Sequence, residues 1–79
     1  MKVLFFAQSR RLAGCDSHLL RVDQSLTISE FWTLLGEVFP RLLSLQKTAR
    51  LARNEAYLEE GERLHPHDEI AIIPPVSGG

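Results

Sequence analysis

One helical signature stands between two stretches that read as strand, and few architectures accommodate that arrangement. Thr27 and Glu30 form a T-x-x-E capping box, each side chain placed to satisfy the other's free backbone N–H. Behind it Ile28, Phe31, Leu35, Val38 and Leu42 recur at helical spacing and predict a single buried stripe. Pro40 lacks an N–H and is expected to end the helix near Val38-Phe39, with Arg41 to Leu45 as a loose extra turn. A lone helix with one apolar stripe needs a sheet to cover it.

The flanking segments supply that sheet. Val3 to Ala7 reads as a first strand, Ser9 to Cys15 as a short helical turn closed by Gly14, and His18 to Val22 as a second strand. Beyond the helix, Ala49 to Arg53, Tyr57-Leu58 and Glu69 to Ile73 read as strands, separated by turns at Asn54-Glu55, Glu59 to Glu62 and His65 to Asp68. Pro74-Pro75 stops the last strand, since proline cannot donate to a ladder. The order β-β-α-β-(β)-β is an α+β pattern, a mixed sheet with the main helix on one face, and it is the order of the β-grasp (ubiquitin-like) fold. Residues 1–73 form the domain and 74–79 a flexible C-terminal tail.

Alternation along the strands assigns faces. Val3, Phe5, Ile70 and Ile72 are expected to meet the helix, while Ala71 and Ile73 point away. Leu4 and Phe6 then fall beside Ile73 on the outer face. An exposed apolar patch of this kind marks a protein interface.

Bulk properties restrict the function. Seventy-nine residues make one domain, and a chain this small buries only roughly 60% of its unfolded surface, which favours a carrier or binding module over a self-sufficient enzyme. A net charge of -1 gives no electrostatic case for nucleic acid. The charge is uneven: residues 1–53 hold eight Lys/Arg against four Asp/Glu, and residues 54–79 hold one against six. Either this is a mixed solvated surface, or Glu55, Glu59, Glu60, Glu62 and Glu69 meet the positive rim of a partner. The single cysteine, Cys15, excludes an internal disulfide and suits a reducing compartment. No signal-peptide pattern or apolar run of membrane-spanning length is present, so a cytoplasmic protein without membrane contact is expected.

Conventional active-site parts are missing from the sequence. His65-Pro66-His67-Asp68 does not have a zinc spacing, and turn chemistry accounts for it, so no metal ligands are assigned. Ser9 sits in no nucleophile motif, Gly14, Gly36 and Gly61 are isolated, and Cys15 has no activating neighbour in sequence. What remains is Pro74-Pro75-Val76-Ser77-Gly78-Gly79. Two prolines release the chain and start it extended. Two glycines without side chains suit a terminal carboxylate that threads a narrow channel in another protein. Such a carboxylate can attack the α-phosphate of ATP, and sulfur can displace AMP from the acyl-adenylate to leave a thiocarboxylate.

The sequence resembles the small subunit of molybdopterin synthase, a family of ubiquitin-like sulfur carriers. The resemblance rests on Val3-Leu4-Phe5-Phe6-Ala7-Gln8, the run Arg11 to Gly14, Thr27-Ile28, Asn54, and the ending Asp68 to Gly79 with its Pro-Pro-Val-Ser-Gly-Gly. Arg53 departs from it, standing where the family more often has an apolar residue, and Trp32 and Phe39 are bulkier than expected. The resemblance implies a non-catalytic carrier with no bound cofactor, modified to 1-thioglycine at Gly79. Gly78, Ser77, Pro74 and Pro75 would fit the tail to its channel, and Phe6, Leu4 and Ile73 would dock. Its implied partners are an ATP-dependent adenylating enzyme, which uses the nucleotide, and the large subunit, in a heterotetramer of two small and two large chains. Two alternatives remain: a sulfur carrier for thiamine thiazole or tRNA thiolation, and a β-grasp interaction module with an incidental Gly-Gly.

Overall fold

Parallel pairing of the first and last strands organises the fold. In this computed structural model, which describes residues 1–75, β1 (Lys2–Phe5) pairs in parallel with β7 (Glu69–Ile73), matching Val3 to Ile70 and Phe5 to Ile72. The main sheet runs β2-β1-β7-β4-β5, with β2 at Ser17–Leu19, β4 at Arg50–Arg53 and β5 at Ala56–Tyr57. All neighbours other than β1 and β7 are antiparallel. A mixed sheet follows from a chain that forms one hairpin, crosses over through a helix and returns to the centre.

The crossing helix α2 (Ile28–Val38) starts where the capping box predicts: Glu30 N–H donates to Thr27 Oγ1 at 3.1 Å, and Thr27 N–H donates to Glu30 Oε1 at 2.8 Å. A 3-10 helix at Pro40–Leu45 continues it. The core joins Val3 and Phe5 of β1, Ile70 and Ile72 of β7 and Leu51 of β4 to Phe31, Trp32 and Leu35 of α2 and to Leu42 and Leu45.

The buried stripe is turned relative to the sequence reading. Val38, expected inside, is 46% exposed, whereas Trp32 is 2% exposed. At about 100° per residue, Phe31, Leu35, Trp32 and the buried Gly36 define an arc that Val38 falls outside and Phe39 falls within. Phe39 accordingly packs its ring edge-on to Phe5 at 5.3 Å and to His18 at 5.0 Å. A Cβ at the buried Gly36 would meet Leu43 Cδ2 at 2.7 Å, so its absence lets the Leu43 side chain of the 3-10 helix lie close against α2.

Other boundaries also differ. β1 ends at Phe5, two residues earlier than the apolar run suggests, because Ala7 adopts φ +49° and opens α1 (Ala7–Ala13). Gly14 closes α1 in the left-handed conformation, as expected. β2 sits at Ser17–Leu19 and not His18 to Val22, with Leu19 exposed and Leu20 buried. β5 begins a residue early because Asn54 and Glu55 take φ +49° and +73°, a two-residue hairpin turn of the type that matches strand twist. A second small sheet, β3 (Leu26–Thr27) against β6 (Arg63–Leu64), fastens the start of α2 to the segment before β7 and was not anticipated.

Candidate functional site at the root of the tail

The central strand β7 delivers the chain to the site. Its register places Ala71 between Leu4 of β1 and Ala52 of β4, and Ala52 in turn opposite Tyr57. These alternate with the residues of the core cluster and lie on the face away from α2, where Ala52 is nonetheless buried. Leu4, Ala71 and Ile73 are half-buried, and Phe6 and Tyr57 are 47% and 52% exposed. The apolar outer face expected from Leu4, Phe6 and Ile73 is therefore present, with Tyr57 added to it.

Phe6 reaches this face by a different route from strand alternation. It is the N-cap residue of α1, and Ser9 fixes it there: Phe6 N–H donates to Ser9 Oγ at 2.9 Å. Together Phe6, Ala7, Gln8 and Arg11 form one wall of a groove whose other wall is Ile73, Pro74 and Pro75. Pro74 is buried and Pro75 exposed, so the first proline still belongs to the body of the domain. Pro75 is the last residue described. Ser77, Gly78 and Gly79, on which the carrier chemistry is placed, lie outside the described residues.

Charged side chains of the sheet and its flanking turns divide into spent and free. Arg10 Nε is 2.9 Å from Asp16 Oδ1. Arg53 donates to Glu62 at 2.9 Å, to Asp68 at 3.3 Å and to the Arg63 carbonyl at 2.7 Å. An ion-pair hub thus occupies the position where the resemblance led to an apolar residue. Asp68 Oδ2 also accepts from His65 N–H at 2.8 Å, which gives the His65–Asp68 segment the turn role assigned to it. Arg50, opposite Ile73, lies 3.9 Å from the Tyr57 ring centroid. Arg50, Tyr57 and Arg11 were missed from the sequence. Register is what brings the first two together: Tyr57 faces Ala52, two residues from Arg50 on the same side of β4.

No helix among the described residues is long and apolar enough to cross a membrane. The fold and this tail root define a ubiquitin-like protein of β-grasp architecture, with its last strand at the sheet centre and leading into Pro74-Pro75 beside an open apolar face. The ThiS family matches residues 3–79, and the chain belongs to that family. It is 34% identical to the human molybdopterin synthase sulfur carrier subunit, over 100% of this chain and 93% of that protein. The Drosophila erecta protein of the same name is 40% identical, over 98% of this chain and 88% of its own. Among solved structures, SAMP1 from Haloferax volcanii superposes with a TM-score of 0.81 at 27% identity, covering 100% of this chain and 98% of that one.

Proposed function

We propose that this chain is the sulfur carrier subunit of molybdopterin synthase and that its working atom is the C-terminal carboxylate of Gly79. The observation that supports this most directly is the path of β7, which carries the chain from the sheet centre, past Phe6 and Ile73, into Pro74-Pro75 and a Val-Ser-Gly-Gly end. A buried Pro74 anchors the exit, so whatever grips the apolar face also fixes how far the last four residues reach.

The carboxylate attacks the α-phosphate of ATP held by an activating enzyme, forming the acyl-adenylate and releasing pyrophosphate. A sulfur donor then displaces AMP and leaves the thiocarboxylate, a better nucleophile than the carboxylate it replaces. The tail next enters the large subunit, where sulfur passes to a cyclic pterin monophosphate in molybdenum cofactor biosynthesis. Acids, bases and bound nucleotide belong to the partners, and this chain supplies the carried atom, the Gly78-Gly79 thread and the docking face. Assembly as two small and two large subunits, in the cytoplasm, completes the reading.

Incubation with ATP, sulfide and the activating enzyme is expected to add the mass of one oxygen-to-sulfur exchange at Gly79. The product, mixed with the large subunit, converts the cyclic pterin to the dithiolene and consumes two carriers for each product. Parallel mixtures with a thiazole synthase and with a tRNA thiolation enzyme show little transfer. Turnover in either of those with none on the pterin overturns the pathway, and absence of any mass shift overturns the carrier chemistry.

A further inference from the structure

We infer that the partner docking on this face carries carboxylates beside the mouth of its channel, and that Arg50 and Arg11 are the cations that meet them. The inference rests on the docking reading above and adds the partner's chemistry to it. Two arginines bracket the root of the tail. Arg50 faces Ile73 across the β4–β7 ladder, and Arg11 lines the groove with Ile73, Pro74 and Pro75 on the β1 side. Neither forms an ion pair among the described residues, whereas Arg10 and Arg53 are committed to Asp16, Glu62 and Asp68.

Arg50 is also preorganised. Its guanidinium carbon lies 3.9 Å from the Tyr57 ring centroid, and stacking on an aromatic face holds the planar fork while leaving its N–H groups available. A carboxylate arriving there meets a donor pair already held in place, so little side-chain freedom is lost on pairing.

Three of the chain's own carboxylates lie toward the other end of β7. Glu69 opens β7, four residues before Ile73, a separation of about 13 Å at the rise of a strand. Glu55 sits in the turn beyond Arg53, and Arg53 is itself opposite Ile70, near the start of β7. Glu62 is held by Arg53. At the tail end, the carbonyl of Asp16 accepts from Phe5 N–H and its carboxylate is neutralised by Arg10. Arg11 and Arg50 thus stand without an ion pair at the end of β7 where the tail leaves, away from these three glutamates. Of the five glutamates expected to dock, Glu55, Glu62 and Glu69 thus lie away from the surface the tail must approach.

The test measures association of the carrier with the large subunit over a series of salt concentrations. Arg11→Glu and Arg50→Glu are each expected to slow association several-fold, and together about ten-fold at low salt, with a flatter salt dependence than the parent. Arg50→Lys keeps the salt dependence but dissociates faster, because the planar fork is lost. Glu55→Lys with Glu69→Lys leaves the rate within about two-fold, since screening removes most of their influence beyond roughly 10 Å. Thermal midpoints establish that each variant is folded. An unchanged salt dependence in the double arginine variant overturns the inference, as does slowed association in the glutamate variant. Phe6→Asp separates the two levels: if it binds normally the docking reading itself fails, and if it loses binding while the arginine variants do not, only the inference fails.

Discussion

The hydroxyl of Ser9 accepts the backbone N–H of Phe6 at 2.9 Å and lies 2.7 Å from the carbonyl oxygen of the same residue. It is fully buried and also stands 3.4 Å from the carbonyl of Ile72. This one side chain closes the abrupt passage from β1 into α1, where Ala7 must take φ +49°, and ties it to the last strand. A hydroxyl without a nucleophile motif thus has a structural task, which is to set where Phe6 stands beside Ile73.

Ser9→Ala leaves the Phe6 N–H without its acceptor in a partly buried setting. Such a loss costs about 1–3 kcal/mol, to be read from urea unfolding. Ser9→Cys keeps the volume more nearly but offers a weak acceptor, and falls between the two. A loss below about 0.5 kcal/mol for Ser9→Ala would mean that packing alone holds the kink.

Arg53 gives the second prediction. Its guanidinium holds Glu62 and Asp68 and one backbone carbonyl, with its side chain 25% exposed and that of Asp68 16% exposed. Arg53→Met fills similar space but strands the Asp68 carboxylate near the end of β4. The expected loss is about 1–2 kcal/mol, less than for a fully buried pair because water still reaches the cluster. Adding Asp68→Asn to that variant recovers part of the loss, and a double-mutant cycle reads the coupling. Purely additive losses would show that the two residues act independently.

These two cases show what the sequence makes legible and what it does not. The capping box at Thr27 and Glu30, the strand order, the closing role of Gly14 and the outward placement of Leu4 and Ile73 follow from local rules, and all are present. Long-range partners leave no local trace. The Ser9–Ile72 approach spans 63 positions, and the β3–β6 sheet is built from two-residue segments too short to show periodicity. Helical spacing from Phe31 and Leu35 puts Val38 inside, whereas Trp32 and the close crossing at Gly36 turn the stripe toward Phe39. Positive φ at Glu55 was equally invisible, since glycine is the usual signal there. At the candidate site, Phe6 and Ile73 were readable, while Arg50 on Tyr57 required the register of β4.

The third prediction concerns acid. Glu30 titrates below its ordinary range because the Thr27 backbone N–H and hydroxyl bind its charged form. A carboxylate lowered on folding stabilises the native state above its unfolded pKa, and that contribution fades as pH falls through the folded value. Glu30→Ala should therefore lower the thermal midpoint at neutral pH. The gap to the parent narrows as pH drops through the carboxylate range. A gap independent of pH would mean that helix propensity, not the capping charge, sets the difference.

The fourth prediction concerns tail length and separates transfer from folding. If the apolar face seats the domain and the buried Pro74 fixes the exit, the reach of the tail is set by the number of residues after Pro75. Adding or removing one residue displaces the terminal atom by roughly 3.3–3.6 Å. Reaction requires the sulfur to lie about 3–3.5 Å from its target, so a shift of that size moves it out of the attacking position. Deleting Gly79, or adding a single glycine after it, is expected to lower sulfur transfer to the pterin by at least about 100-fold, the loss that a misplacement of even ~1 Å can cause. The core cluster among the described residues is built without the residues changed, so the thermal midpoint should stay that of the parent. Binding to the large subunit should also persist, because Phe6 and Ile73 are untouched. Transfer at the parent rate in either variant would contradict a terminal carboxylate as the carried group. A fall in the midpoint would instead mean that the last residues contribute to the fold.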